Sequence, residues 1–94
     1  MKELDPLLHS QLRLAIMSLL LSVEEADFVF LRQETHATAG NLSVQLEKLS
    51  EAGYILIRKS FIGRKSHTVC SMTPLGREAM VAYMTALKEY FSKL

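Results

Sequence analysis

The chain has 94 residues, 49% of them hydrophobic and 22% charged, with a formal net charge of +1. This length buries one core and leaves no room for a catalytic cleft between two domains, and four phenylalanines and three tyrosines exclude the composition of a disordered tail. A single cysteine, Cys70, excludes an intrachain disulfide and offers a metal one sulfur only, so neither metal nor cofactor is expected.

The N-terminus, Met1-Lys2-Glu3-Leu4-Asp5-Pro6, carries acidic residues where a secretion signal carries only basic ones. The most apolar run, Leu14 to Leu21, contains Ser18 and falls well short of the ~20 residues that cross a bilayer, so a cytoplasmic protein without membrane contact is expected. Asp5-Pro6 predicts the start of a first helix, because proline in the first turn has no N–H to lose. Leu7, Leu8, Leu12, Ala15, Ile16 and Leu19 follow at helical spacing, and His9 falls on the helix surface. Leu14, Met17, Leu20 and Leu21 lie off that stripe, so this helix is either central or shared with another subunit.

Glu24, Glu25 and Asp27 interrupt the pattern, and a short second helix runs from about Phe28 to Thr35. His36-Ala37-Thr38 forms a tight connection, Thr38 caps a third helix to Ala52, and Gly53 closes it. Leu42, Leu46 and Leu49 make its core face. Gly40, Ser43, Val44, Glu47 and Glu51 then face away, with Asn41, Gln45 and Lys48 on the flanks.

Residues 54–60 are rich in strand formers and residues 66–72 alternate as a second strand does, so 54–72 reads as a β-hairpin with residues 61–65 as its loop. His67 and Cys70, three apart in a strand, point to opposite faces and do not share a metal; Cys70 is expected in the core. Thr73-Pro74 starts a last helix over 74–94, striped by Met80, Tyr83, Leu87, Tyr90 and Leu94 and widened by Met84 and Phe91.

The result is a single α+β domain over 1–94, mainly helical with a small hairpin. Helix-turn-helix at about 28–52 followed by a hairpin is the winged helix-turn-helix order, in which the third helix enters the major groove and the wing reaches neighbouring DNA. No acidic residue occurs between Ala52 and Arg77, while Arg58, Lys59, Arg64, Lys65 and Arg77 all do, so the wing is a basic island. The candidate contacts are Thr38 and Asn41 at the start of the third helix, Ser43, Val44 and Gln45 toward base edges, and Lys48 toward phosphate. Arg64 and Lys65 at the wing tip, with Arg58, Lys59 and His67 behind it, add backbone or minor-groove contacts. No nucleophile, base and orienting group recur at a catalytic spacing, and the glycines are too scattered for a phosphate loop, so an enzyme is not expected.

Ala26-Asp27-Phe28-Val29-Phe30-Leu31, Gly40-Asn41-Leu42-Ser43-Val44-Gln45-Leu46, Leu49-Ser50-Glu51-Ala52-Gly53-Tyr54 and Thr73-Pro74-Leu75-Gly76-Arg77, in this order, resemble the winged-helix transcriptional regulators of the MarR and ArsR groups over roughly residues 10–91. The resemblance implies DNA-dependent regulation by a dimer joined through its first and last helices. Leu8, Leu12, Met80, Tyr83, Met84, Leu87, Tyr90, Phe91 and Leu94 are its candidate contacts. The chain departs from the commoner pattern in placing Val44 where a basic residue often lies and in carrying Glu47 and Glu51 on the outward face. A small-molecule effector would have to sit at the dimer interface, between the first and last helices, for lack of a separate sensor domain. The rival reading is a protein-interaction module that keeps the winged-helix architecture with little affinity for DNA.

Overall fold

The computed structural model describes residues 2–93. In chain order it contains α1 (Gln11–Leu21), β1 (Ala26–Asp27), α2 (Phe28–Thr35), α3 (Ala39–Glu51), β2 (Ile55–Ile62), β3 (Lys65–Met72) and α4 (Pro74–Ser92). The expected helices and hairpin are present, with two differences near the N-terminus.

Asp5-Pro6 begins a turn rather than a helix. The Asp5 carboxylate accepts from the Leu7 N–H at 2.9 Å, and the Asp5 carbonyl accepts from the N–H of Leu8 and His9. A continuous helix would then pair the Leu7 carbonyl with the Gln11 N–H. Instead Arg13 Nε donates to that carbonyl at 2.6 Å, Ser10 adopts an extended conformation, and α1 starts at Gln11. His9 therefore lies in a turn, its Nδ1 hydrogen-bonded to the Tyr83 hydroxyl at 2.9 Å.

The acidic connection after α1 also holds a strand. Ala26 pairs with Cys70 and Asp27 with Val69, giving a three-stranded antiparallel sheet in the order β1-β3-β2. Two residues are too few to show a period of two. Asp27 then serves as cap, its carboxylate accepting from the Phe30 N–H at 2.8 Å and starting α2.

The core joins every element. Ile16, Met17 and Leu20 of α1, Leu31 of α2, Leu42, Leu46 and Leu49 of α3, Ile55 and Cys70 of the sheet, and Met80 and Tyr83 of α4 are buried together with Leu8. Each fully buried leucine or isoleucine contributes about 1.5–3 kcal/mol. The α3 triad alone therefore holds that helix far more firmly than its first-turn cap. Burial also pushes the Cys70 thiol up to about 11.

The end of α3, the base of the hairpin and the start of α4 meet at one knot. Gly53, at φ +80, lets its N–H reach the Ser50 carbonyl while the Tyr54 N–H reaches that of Leu49, which closes α3. The Thr73 N–H donates to the Tyr54 carbonyl at 3.0 Å, its hydroxyl donates to the Gly53 carbonyl at 2.5 Å, and the same oxygen accepts from the Gly76 N–H. Pro74 at the first position completes the start of α4.

Candidate nucleic-acid interface

The connection between α2 and α3 is three residues long, with His36 exposed in the left-handed region at φ 58. Thr38 caps α3, its hydroxyl accepting from the Asn41 N–H at 3.1 Å. The N–H groups of Ala39 and Gly40 remain for an outside acceptor, and nothing lies within 4 Å of where a Gly40 side chain would be. Asn41, Ser43, Val44 and Lys48 are exposed, as are Glu47 and Glu51.

Gln45 is held differently. Expected to reach base edges, it is half-buried, and its Oε1 accepts from Arg13 Nη1 at 2.5 Å while its Nε2 donates to Asn41 Oδ1 at 3.0 Å. The side chain is therefore a link between α1 and the first turn of α3 rather than a free reader. Nothing in the spacing of α3 pointed to Arg13, whose partner lies 32 residues away.

The hairpin turns more tightly than the expected five-residue loop. The strands pair out to Ile62 and Lys65, and Gly63 and Arg64 alone make the turn, Gly63 at φ +64. A glycine with positive φ at the first of two turn residues matches the twist of the flanking strands. Arg64 thus stands at the tip and Lys65 begins β3, both exposed.

Register then divides the basic island. Ile57 opposite Cys70, Lys59 opposite Thr68, and Phe61 opposite Ser66 share one face of the hairpin. That face meets α3 across a groove of about 560 Å³ lined by Ser43, Glu47, Ser50 and Glu51 on one wall and Ile57, Lys59 and Thr68 on the other. Arg58, His67 and Lys65 lie on the opposite face. Arg58 is also paired with Glu25 at 3.1 Å, an exposed contact worth less than ~1 kcal/mol that still offsets its charge. Of the three candidates behind the tip, Lys59 shares the groove with α3; Arg58 and His67 do not. Phe61 and Ile62, 76% and 65% exposed, make the wing end partly apolar.

The dimer candidates separate as well. Leu8, Met80 and Tyr83 are buried in the chain's own core at 0%, 2% and 4% exposure, so they are not on the surface a second subunit would meet. Leu12 and Leu87 are half-buried, while Met84, Tyr90 and Phe91 are exposed. Leu94 lies outside the described residues. The N-terminal segment is strapped across this region: the Tyr90 hydroxyl donates to the Lys2 carbonyl at 3.3 Å, and that of Tyr54 donates to the Asp5 carboxylate at 2.5 Å. Its hydrogen bond to Asp5, burial and the nearby negative charge push the Tyr54 hydroxyl up to about 12. No described helix is long and apolar enough to cross a membrane, and no three described His, Cys, Asp or Glu residues converge on a metal site.

A capped helix after a three-residue turn, flanked by a basic-tipped hairpin across a groove, defines a winged-helix protein built to bind DNA. Sequence comparison makes the assignment specific: the chain belongs to the winged helix DNA-binding domain family, which matches residues 12–91. It is 34% identical over 76 residues to the uncharacterized protein MJ0432 of Methanocaldococcus jannaschii, spanning 81% of this chain and 83% of that protein. Among solved structures it resembles a transcriptional regulator homologue from Pyrococcus horikoshii OT3, with 28% identity and a TM-score of 0.84 over 93% of this chain and 86% of the other. It also shares its fold with NadR in complex with 4-hydroxyphenylacetate, at 18% identity and TM-score 0.73, covering 94% of this chain and 64% of that one. A third similar fold is the putative regulator ytfH of Salmonella typhimurium, at 21% identity and TM-score 0.75, covering 92% and 75%. The chain is thus a winged-helix DNA-binding domain.

Proposed function

We propose that the chain binds duplex DNA sequence-specifically as a homodimeric transcriptional regulator, with α3 in the major groove and the wing on the backbone or minor groove. The observation that carries this reading is the exposed face of α3, whose first turn offers backbone N–H groups and whose middle, at Ser43, lines the groove shared with Lys59, next to a wing tipped by Arg64 and Lys65. Ala39 and Gly40 N–H and Lys48 take phosphates, and Ser43 and Val44 face the bases.

The dimer forms through the exposed side of α4, where Met84 and Phe91 lie seven residues apart, two helical turns on one face, at 43% and 64% exposure. Two-fold symmetry sets the recognition helices about one DNA turn apart and demands a pseudo-palindromic operator. A small-molecule effector would enter the groove of about 520 Å³ between the N-terminal segment and α4, floored by Ala79, Ala82 and Ala86; NadR, of the same fold, binds 4-hydroxyphenylacetate.

Fluorescence anisotropy with random duplex DNA at low and moderate salt tests the reading. Binding should weaken steeply with salt, and the Arg64→Ala, Lys65→Ala double variant should flatten the slope of log affinity against log salt by about 1.8 per subunit, or about 3.6 for the bound dimer, roughly 0.9 for each lost phosphate contact. Absence of binding at low salt would overturn it and leave Val44, Glu47 and Glu51 as the face for a protein partner.

A further inference from the structure

The link from Arg13 through Gln45 to Asn41 has a direction that chemistry alone determines. A guanidinium has five donors and no acceptor. The Gln45 atom that meets Arg13 Nη1 at 2.5 Å must therefore be the amide oxygen, and the atom that faces Asn41 must be the amide nitrogen. That nitrogen donates at 3.0 Å, so the Asn41 atom receiving it is its oxygen. The NH₂ group of Asn41 is what remains to point away from the helix, and Asn41 is exposed. Arg13 cannot easily swing out of this arrangement, because its Nε is committed at 2.6 Å to the Leu7 carbonyl.

We infer that Arg13 is a positioning residue for DNA recognition: it locks the amides of Gln45 and Asn41 so that α3 presents Asn41 as a donor, matched to the acceptor edge of guanine rather than to adenine. The inference rests on the proposed entry of α3 into the major groove. Guanine shows two acceptors there, N7 and O6, whereas adenine shows one acceptor and one donor. An unconstrained asparagine suits adenine, because its oxygen accepts from N6 while its nitrogen donates to N7. Here the bond from Gln45, four residues on, turns that oxygen back along the helix and leaves the NH₂ group outermost, and the amide cannot flip without setting two NH₂ groups against each other. Phosphate is the competing acceptor. It is served by the N–H groups of Ala39 and Gly40, while Asn41 lies beyond them, among side chains that face base edges when a helix enters the groove by its N-terminus.

Selection from a randomised duplex pool followed by affinity measurement tests this on the full chain. The unaltered protein should prefer guanine over adenine at one position in each half-site by about fivefold or more. Arg13→Met, which keeps the apolar stem but donates nothing, should narrow that preference to less than about twofold, and Arg13→Lys should restore it in part. Gln45→Leu cuts the link on the α3 side with Arg13 still in place, and should lose the same preference even if Arg13→Met folds poorly. An unchanged preference in Gln45→Leu, or a loss of affinity equal for all sequences, would overturn the inference. The first result would show that Asn41 needs no orientation, the second that it meets phosphate. Failure of the unaltered protein to bind any duplex would instead overturn the DNA-binding reading itself.

Discussion

Replacing Gly76 by alanine puts the packing of α4 to a quantitative test. A Cβ at this position would lie 2.1 Å from the Tyr54 carbonyl oxygen, 2.9 Å from its carbon and 3.0 Å from the Tyr54 Cα. Contact between such atoms is comfortable at roughly 3.5 Å, so the start of α4 and the base of the hairpin must part by about 1.4 Å. Overpacking of this kind costs about 1–3 kcal/mol. The same displacement stretches the bond from the Thr73 N–H to that carbonyl, worth about 1 kcal/mol. Alanine recovers up to about 1 kcal/mol in helix propensity. The net expectation is a loss of about 2 kcal/mol, or roughly 8–16 °C in Tm for a domain of this size. Urea and thermal denaturation followed by circular dichroism measure it, with Gly40→Ala as the control. Gly40 is also helical but has nothing within 4 Å of a new Cβ, so that variant should be unchanged or slightly more stable. A Gly76→Ala protein as stable as the original, or a Gly40→Ala protein equally damaged, would refute the packing argument.

Two further outcomes are expected. The Tyr54 hydroxyl is held protonated in the folded state, up to about 12 against an ordinary 10, so its contribution to stability is intact below pH 10 and is lost as pH rises from 10 to 12. Denaturant midpoints measured from pH 9 to 11.5 should therefore fall more steeply for the unaltered protein than for Tyr54→Phe, and parallel curves would remove the Asp5 contact from the account. Sedimentation at micromolar concentration should find a dimer that Met84→Asp, Phe91→Asp converts to a folded monomer with DNA affinity at least about tenfold weaker, since both side chains are exposed in the single chain and charge there opposes apolar contact alone; a monomer without any substitution would count against α4 as the dimer face.

The parts of the fold legible in the sequence are those specified by local chemistry. Leu42, Leu46 and Leu49 carry a helical period, Thr38 and Thr73 are capping residues with the N–H they cap three positions on, and Gly53 supplies the left-handed exit of α3. What escaped depends on partners distant in the chain. An apolar stripe on α4 announces burial without naming its cover, and so Met80 and Tyr83 read as surface for a second subunit when the chain's own core takes them. The basic island was legible as composition, but whether Arg58 and Lys59 act together depends on which hairpin face meets α3, and neighbours in a strand point apart. Glu25 could be matched to Arg58, and Arg13 to Gln45, only once the chain had brought together residues 33 and 32 positions apart.

The knot around Thr73 has a mechanical consequence. One residue ties the exit of α3, the root of the wing and the first turn of α4 through three hydrogen bonds, with Gly76 packed against the same peptide. On the proposed reading, α3, the wing and the last helix would then turn together, because a tilt at the base of α4 pulls on the same hydrogen-bonded peptides. In a symmetric pair, a rotation of a few degrees where the two α4 helices cross would be carried out to both α3 helices as a change in their span. Such a regulator would be tuned by the angle at which two rigid halves meet, and its own fold would need no alternative state.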